Sequence, residues 1–332
     1  MSHNPHRLGV LACIAWLLTA CVAQKPSIQP GPPLGAPPPE ESQDEASDYD
    51  DDFIVDKRRA QFTKFGQAEA GFTPEQERRI EANCPFGLPR ALKAWEHGPT
   101  RYVIREGYVL QHSGSDKLPL WVCEGVERAQ LEGNLPRPGQ GAFKPDPELP
   151  KGERAELADY KGSGYSRGHM APAGNQTVDQ QRKTETFYLS NMVPQLQVHN
   201  GGIWSTLENT ARQWAQDRGK AYIITGPMFY DPAEEDPNTA DGFVDVYRIG
   251  ANALPVPTHF FKIVVAQNAS GQWEAIAFVQ EHRGYDKPYD SQLPQTIQSV
   301  DWIEERAGFD FMPDLEDEQQ QALEASPSPM WQ

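Results

Sequence analysis

Residues 162–175 read GSGYSRGHMAPAGN, and residues 187–208 read FYLSNMVPQLQVHNGGIWSTLE. The first stretch places His169 among small residues, directly after Arg167-Gly168. A glycine-rich backbone allows a large anionic ligand to approach closely. A neutral histidine can take a proton from water near pH 7, and an arginine can hold a phosphate through paired hydrogen bonds. The stretch therefore indicates acid–base chemistry at a phosphate.

The second stretch carries Asn200 just before a helical pattern and Glu208 eight residues later. Eight residues rise about 12 Å along a helix axis, so both side chains could converge on one hydrated ion without both binding it directly. Mg²⁺ suits this arrangement, because it dehydrates reluctantly and keeps several waters.

At these residues the chain resembles the DNA/RNA non-specific endonuclease family, the ββα-metal nucleases that include endonuclease G. The family pattern is Asp-Arg-Gly-His followed by Ala-Pro, then Ser/Thr-Asn-x-x-Pro-Gln, a second Asn and Trp-x-x-Leu-Glu. The matching residues here are Arg167-Gly168-His169 with Ala171-Pro172, Asn191 with Pro194-Gln195, Asn200, and Trp204 with Leu207-Glu208. The resemblance extends over roughly residues 107–279.

The resemblance implies a role for each matching residue. His169 would be the general base that activates water, Asn200 the single direct protein ligand of Mg²⁺ or a substituting Mn²⁺, and Glu208 the residue that orients a metal-bound water. Asn191 would support the site. The arginines expected near the phosphate are Arg137, Arg167 and Arg212. The implied products carry 5′-phosphate and 3′-hydroxyl ends.

Two positions depart from the family pattern. Ser166 stands where the family usually has Asp, and since that Asp is neither base nor ligand, we expect altered electrostatics and retained chemistry. The loop 138–142, between Arg137 and Phe143, is longer than in some members.

The expected activity is hydrolysis of DNA and RNA phosphodiester bonds. It would be sequence-nonspecific if the site grips only phosphate and sugar, because those contacts carry no sequence information. The alternative is a surface lipoprotein that kept the nuclease fold as a binding module after losing catalysis. A homodimer and an inhibitor protein are left open as further partners.

Hydrophobic periodicity predicts an α+β domain. Short segments rich in β-branched and aromatic residues predict strands at 102–104, 107–110, 119–122, 222–225, 258–266 and 274–279. Helical patterns occur at 74–83, 203–218 and 300–307. Their irregular order favours a central, mainly antiparallel sheet flanked by helices, and the resemblance implies that this is the ββα-metal nuclease fold.

Composition divides the chain into four parts. Residues 1–21 are read as a signal segment, 22–59 as a disordered Pro-rich and acidic linker, 60–312 as the endonuclease domain and 313–332 as an acidic, Pro-rich tail similar to the linker. The apolar run Leu8–Ala20 has thirteen residues and ends at Cys21, which resembles the lipobox of bacterial lipoproteins. Lipidation of Cys21 would anchor the protein in the cell envelope. Val22 at the next position favours the outer membrane, on either its periplasmic or its outer face.

Cys84 and Cys123 are the cysteines that remain beyond this segment. In an oxidising compartment they could form a disulfide, and buried free thiols are the alternative.

The formal charge of −17 does not exclude a nucleic-acid substrate. Much of it lies in the two ends, which carry few basic residues, and the part between them is nearly neutral. Such a domain would bind phosphates through a local basic cleft.

Overall fold

The computed structural model describes residues 62–63, 71–93, 98–230, 244 and 246–331. The predicted signal segment 1–21, with Cys21, and the linker 22–59 lie outside the described residues.

The described residues form fourteen strands and eight α-helices. The strands are β1 (Phe62–Thr63), β2 (Arg90–Ala91), β3 (Thr100–Ile104), β4 (Val109–Ser113), β5 (Leu118–Glu127), β6 (Ser166–His169), β7 (Met192–Gln195), β8 (Lys220–Met228), β9 (Arg248–Ile249), β10 (Leu254–Pro255), β11 (His259–Gln267), β12 (Trp273–Glu281), β13 (Ile297–Gln298) and β14 (Phe309–Asp310). The helices are α1 (Pro74–Asn83), α2 (Arg128–Leu131), α3 (Leu157–Tyr160), α4 (Gln180–Glu185), α5 (Gln197–His199), α6 (Ser205–Arg218), α7 (Val300–Ala307) and α8 (Asp317–Glu324).

An eight-stranded sheet in the order β1-β3-β4-β5-β8-β11-β12-β13 forms the centre of the fold. Every neighbouring pair in it is antiparallel. The predicted α+β class with a central antiparallel sheet is therefore confirmed.

The two faces of the sheet bury separate hydrophobic cores, because successive residues of a strand point to opposite sides. The core on one face contains strand residues such as Val122 and Val264 together with Leu207 of α6. The core on the other face contains Trp121 with Ile303 of α7. Full burial of each such side chain stabilises the fold by roughly 1.5–3 kcal/mol.

Helix ends follow local capping. The Thr73 side chain accepts a hydrogen bond from the Gln76 N–H, and the Gln76 side chain accepts one from the Thr73 N–H. This reciprocal capping starts α1 at Pro74. Ser299 caps α7 in the same position, and Gly308 ends that helix in the left-handed region at φ 75°. Both helices have the bounds predicted from the sequence.

A second unit, β6–β7 followed by α5 and α6, lies on one face of the sheet. β6 and β7 pair antiparallel, and α6 packs against β5, β8 and β11. Between α5 and α6 the chain forms a π-helical segment, Asn200–Trp204, which contains a non-helical Gly202. This ββα unit holds most of the candidate site residues.

The C-terminal region is packed, in contrast to the tail predicted from its composition. Residues 317–324 form α8, and Trp331 lies 5.0 Å from Trp214 of α6 between ring centroids. The Arg218 guanidinium lies 3.8 Å from the centre of the Trp331 ring. The prediction that this tail resembles the disordered linker is therefore wrong, because a few aromatic and buried residues within acidic sequence are enough to attach it.

Cys84 and Cys123 are buried free thiols in the core opposite α6, so the disulfide that the sequence allowed is not present. The two thiols are neighbours, and burial, then contact with Cys123, raises the pKa of Cys84 well above its usual value. A protonated thiol packs in this core as a small apolar group.

None of the helices in the described ranges is both long and apolar enough to cross a bilayer.

Candidate active site

His169 ends strand β6, where it pairs with Met192 of β7. Its side chain is buried, with 7% of the residue exposed. The imidazole lies 5.7 Å from the Phe143 ring and 5.0 Å from the Phe187 ring, between centroids. Its Nε2 atom has no hydrogen-bond partner among the described residues. This ring nitrogen therefore keeps an unused capacity for one hydrogen bond.

The surroundings keep His169 neutral. Burial is the main cause that lowers its pKa to about 3, and the positive charges of Arg137 and Arg167 add to the shift. At pH 7 the imidazole therefore carries no charge and can accept a proton at one nitrogen.

Asn191 fixes the loop that follows His169. Its Oδ1 accepts a 2.9 Å hydrogen bond from the Ala171 N–H, and its Nδ2 donates to the Ala171 carbonyl and to the Thr186 carbonyl, both at 2.9 Å. The residue is fully buried. The supporting role expected for Asn191 corresponds to this clamp.

The two glycines of the His169 region permit close packing. A Cβ on Gly168 would lie 2.0 Å from Oε1 of Gln195, and one on Gly174 would lie 2.4 Å from Nη2 of Arg212. At Gly168 the Cβ of Gln195 would also lie within 2.8 Å, so a larger residue would force β7 to shift, whereas at Gly174 the first atoms met belong to the flexible end of Arg212.

Asn200 begins the π-helical segment and its side chain is half-buried. The preceding residue anchors it: the His199 ring stacks on Phe260 at 5.2 Å, and its Nδ1 accepts a 2.8 Å hydrogen bond from Gln195 Nε2. His199 is thus a buried support for the Asn200 backbone.

Glu208 and Arg212 lie one turn apart on α6. Burial raises the pKa of Glu208. The nearby cations that oppose this shift are Lys262, Arg212 and Arg137. Arg212 Nε donates a 3.0 Å hydrogen bond to Asn175 Oδ1, which ties the helix to the end of the His169 loop. Because the positive charge of Arg137 lowers the pKa of both His169 and Glu208, these three residues lie close enough together to belong to one cleft.

The Arg137 side chain is exposed, whereas the Arg167 side chain is partly buried and is held by two contacts. The Arg167 guanidinium lies 4.2 Å from the centre of the Phe143 ring, and its Nη2 donates to Gln140 Oε1 at 2.7 Å. The long loop 138–142 therefore positions Arg167 through Gln140. Ser166 donates a 2.5 Å hydrogen bond to Gln197 Oε1 and joins β6 to the helix before Asn200.

Sequence reasoning missed two buried ionisable residues beneath α6. Burial raises the pKa of Glu124 on β5 to about 7, and the positive charge of Lys262 on β11 opposes the shift. Lys262 Nζ donates to Thr225 Oγ1 at 2.6 Å, and Glu124 Oε1 accepts from Asn175 Nδ2 at 3.0 Å. The available signal was a charged residue inside each of two apolar strand segments, LWVCEGV and HFFKIVV.

The donor set fits a hydrated divalent cation. Asn200 offers a half-buried amide oxygen, and Glu208 two turns later offers a carboxylate whose pKa is raised by burial, so that a bound cation would favour its ionised form. One amide and one carboxylate leave most of an octahedron to water, as Mg²⁺ prefers.

Comparisons with known proteins agree with this geometry. A family model described as DNA/RNA non-specific endonuclease matches residues 96–318. Mitochondrial endonuclease G of Homo sapiens is 34% identical over 232 residues, which cover 69% of this chain and 73% of that protein. A nuclease of Syncephalastrum racemosum is 36% identical over 238 residues, which cover 68% of this chain and 72% of the nuclease.

A solved structure supports the same relation. The crystal structure of the EndoG/EndoGI complex, which concerns the mechanism of EndoG inhibition, matches with a TM-score of 0.63 and 31% identity. The match covers 73% of this chain and 94% of the chain in that complex.

Proposed function

The chain belongs to the DNA/RNA non-specific endonuclease family, and from that membership we propose that it hydrolyses phosphodiester bonds with His169 as general base and one hydrated Mg²⁺ held by Asn200. Membership of this family itself supports a metal-dependent endonuclease that binds nucleic acid. The observation that carries the proposal is the unpartnered Nε2 of a neutral, buried His169 beside two arginines.

The proposed reaction begins with a water molecule at the His169 imidazole. The imidazole accepts the proton of this water as its oxygen attacks phosphorus. Arg167 is oriented by Gln140 and Phe143 to hold a phosphate oxygen, and exposed Arg137 approaches from the open side. The bond between phosphorus and the 3′ oxygen breaks, and this oxygen takes up a proton from solvent. The products therefore carry 5′-phosphate and 3′-hydroxyl ends.

Asn200 and Glu208 would hold the cation, Asn200 directly and Glu208 through a bound water. Mg²⁺, or Mn²⁺ in its place, supplies neutralisation of charge on the phosphate and on the leaving oxygen. The positive charges of Arg212 and Lys262 favour the ionised form of the Glu208 carboxylate, because both oppose the rise in its pKa. All the proposed contacts are made to phosphate or to the cation, and none is made to a base. Such contacts carry no sequence information, which supports cleavage without sequence preference.

We also propose a lipid anchor and an inhibitor partner. The lipobox-like sequence ending at Cys21 supports anchoring in the cell envelope, and Cys21→Ser should move the protein from the membrane fraction to the soluble fraction. The solved EndoG/EndoGI complex supports an inhibitor that binds this fold. A homodimer stays a prediction from the sequence.

The test is a plasmid-nicking and RNA-degradation assay with Mg²⁺, with and without EDTA. We expect cleavage that stops on chelation and that falls about 10²–10⁴-fold in His169→Asn. The matched control is His259→Asn, another buried histidine on the opposite face of the sheet, which should keep activity. Full cleavage in EDTA, or more than about a tenth of the activity in His169→Asn, would mean a different mechanism, and no cleavage by the wild type in Mg²⁺ would leave the binding module.

A further inference from the structure

Three carboxylates converge where α7 meets α8, on the opposite face of the sheet from the nuclease site. Asp301 and Glu304 lie one turn apart on α7, and Glu324 ends α8. One oxygen from each of the three lies within 4.8 Å of the others.

Glu324 is the buried member of this cluster and lacks a partner. The residue is 4% exposed, and its Oε1 has no hydrogen-bond partner among the described residues. Glu304 is oriented by the Phe311 N–H, which donates to its Oε1 at 2.7 Å. Asp301 is exposed, so the cluster has an open side through which an ion can enter.

The charges around Glu304 and Glu324 are uncompensated. Burial raises the pKa of Glu304 to about 7 and that of Glu324 to about 8, and the charged neighbours that add to both shifts are other carboxylates. The nearest of these outside the cluster, Asp310, is already paired with Arg90 at 2.9 Å. Buried carboxylates in this situation either keep a proton or bind a cation.

We propose that Asp301, Glu304 and Glu324 form a Ca²⁺ site that is separate from the nuclease centre. The three oxygens lie within 4.8 Å of one another, which is compatible with oxygens that bind one Ca²⁺ at 2.3–2.6 Å. Mg²⁺ demands near-ideal octahedral geometry and keeps several of its waters, so a set of three carboxylates suits it less well. Ca²⁺ also accepts an irregular set of carboxylates completed by water.

Such a site would fasten the C-terminal region. α8 is followed by a segment that reaches Trp331, which packs on Trp214 and Arg218 of α6. A cation between α7 and α8 therefore fixes the start of a segment that ends against the helix carrying Glu208.

The test is calcium titration calorimetry and thermal unfolding of the full chain with Asn200→Ala, so that the proposed nuclease metal ligand is absent. We expect one Ca²⁺ per chain and a rise in Tm of about 5–10 °C at Ca²⁺ about 100-fold above Kd. Adding Glu324→Gln should abolish both, and adding Asp301→Asn, at an exposed position, should weaken binding at least about tenfold. The matched control is Glu305→Gln, an exposed carboxylate on α7 outside the cluster.

Three outcomes would overturn the proposal. These are no Ca²⁺ bound by Asn200→Ala, unchanged affinity in both Glu324→Gln and Asp301→Asn, or an equal loss in Glu305→Gln. Tighter binding of Mg²⁺ than of Ca²⁺ would overturn the assignment of the ion. Nuclease activity enters none of these readouts, so failure of the proposed function is distinguishable.

Discussion

Replacement of Asn191 by Ala tests how the loop after His169 is held. The side chain makes three hydrogen bonds, to Ala171 N–H, Ala171 C=O and Thr186 C=O, and is fully buried. The substitution leaves these backbone groups without partners, and each unsatisfied buried group costs about 1–3 kcal/mol. We expect a loss of roughly 3–5 kcal/mol in the free energy of unfolding, large but within the stability of an ordinary domain.

The same change should lower kcat. Ala171 is two residues from His169, so a loosened Ala171 lets the imidazole leave its position, and misplacement of about 1 Å can cost on the order of 10²-fold in rate. The free energy is measured by urea denaturation, and kcat and KM on plasmid DNA at a temperature where the variant is folded. KM should change less than kcat, because the arginines that we propose to bind phosphate are untouched.

The control is Asn83→Ala. Asn83 is also buried, donates to Arg79 C=O at 2.9 Å and accepts from Gly125 N–H at 3.0 Å, but it lies at the end of α1 beyond the other face of the sheet. It should lose comparable stability and keep kcat. Wild-type kcat in folded Asn191→Ala, or equal losses of kcat in both variants, would refute the clamp.

Three further predictions follow from the site and its surroundings. Asn200→Ala should weaken Mg²⁺ affinity and turnover together, whereas Glu208→Gln should lower turnover with a smaller change in affinity; equal affinity losses in titration calorimetry would contradict the assigned roles. Burial lowers the pKa of His282 from 6.5 to about 4, so the stability this neutral imidazole contributes is complete above pH 6.5 and is lost as pH falls toward 4. Relative to His282→Gln, the wild type should lose on the order of 3 kcal/mol between pH 7 and pH 4 in urea denaturation, and parallel stability curves would argue against this residue. Ser166→Asp should retain catalysis and move the acidic limb of kcat/KM against pH upward, because a carboxylate near the general base favours its protonated form; an unmoved limb with an altered Tm would mean that residue 166 only braces β6 through Gln197.

Local sequence signals located α1, α6 and α7, but they missed the other five helices of the described residues and placed the strand ends poorly. The bounds of α1 and α7 were predictable because a capping side chain and a closing residue are local features. α6 begins at Ser205, two residues after its predicted start, because Asn200–Trp204 form a π-helical segment that periodicity does not distinguish from α-helix. β5 extends to Glu127, beyond its predicted apolar run, because pairing with β8 continues through polar residues.

The motif residues were readable in the sequence, but their supports were not. The motif spacing identified His169 and Asn200 as site residues. The hydrogen bond between His199 and Gln195, which anchors the backbone before Asn200, depends on the path of the π-helical segment and could not be read from that spacing. Glu124 and Lys262 lie on strands separated by β8, so their proximity is set by sheet order. Strand order depends on long-range pairing, which no local pattern encodes.

The charge of the cleft reconciles an acidic chain with an anionic substrate. The positive groups near His169 and Glu208 are Arg137, Arg167, Arg212 and Lys262, against the carboxylates of Glu124 and Glu208. Four cations therefore face two carboxylates, and the raised pKa of Glu124 leaves that group partly protonated near pH 7. The chain as a whole carries −17, but exposed charges beyond about 10 Å are largely screened at 0.1 M salt. A phosphate in the cleft thus meets a local positive excess, and the bulk charge governs approach at low salt more than binding.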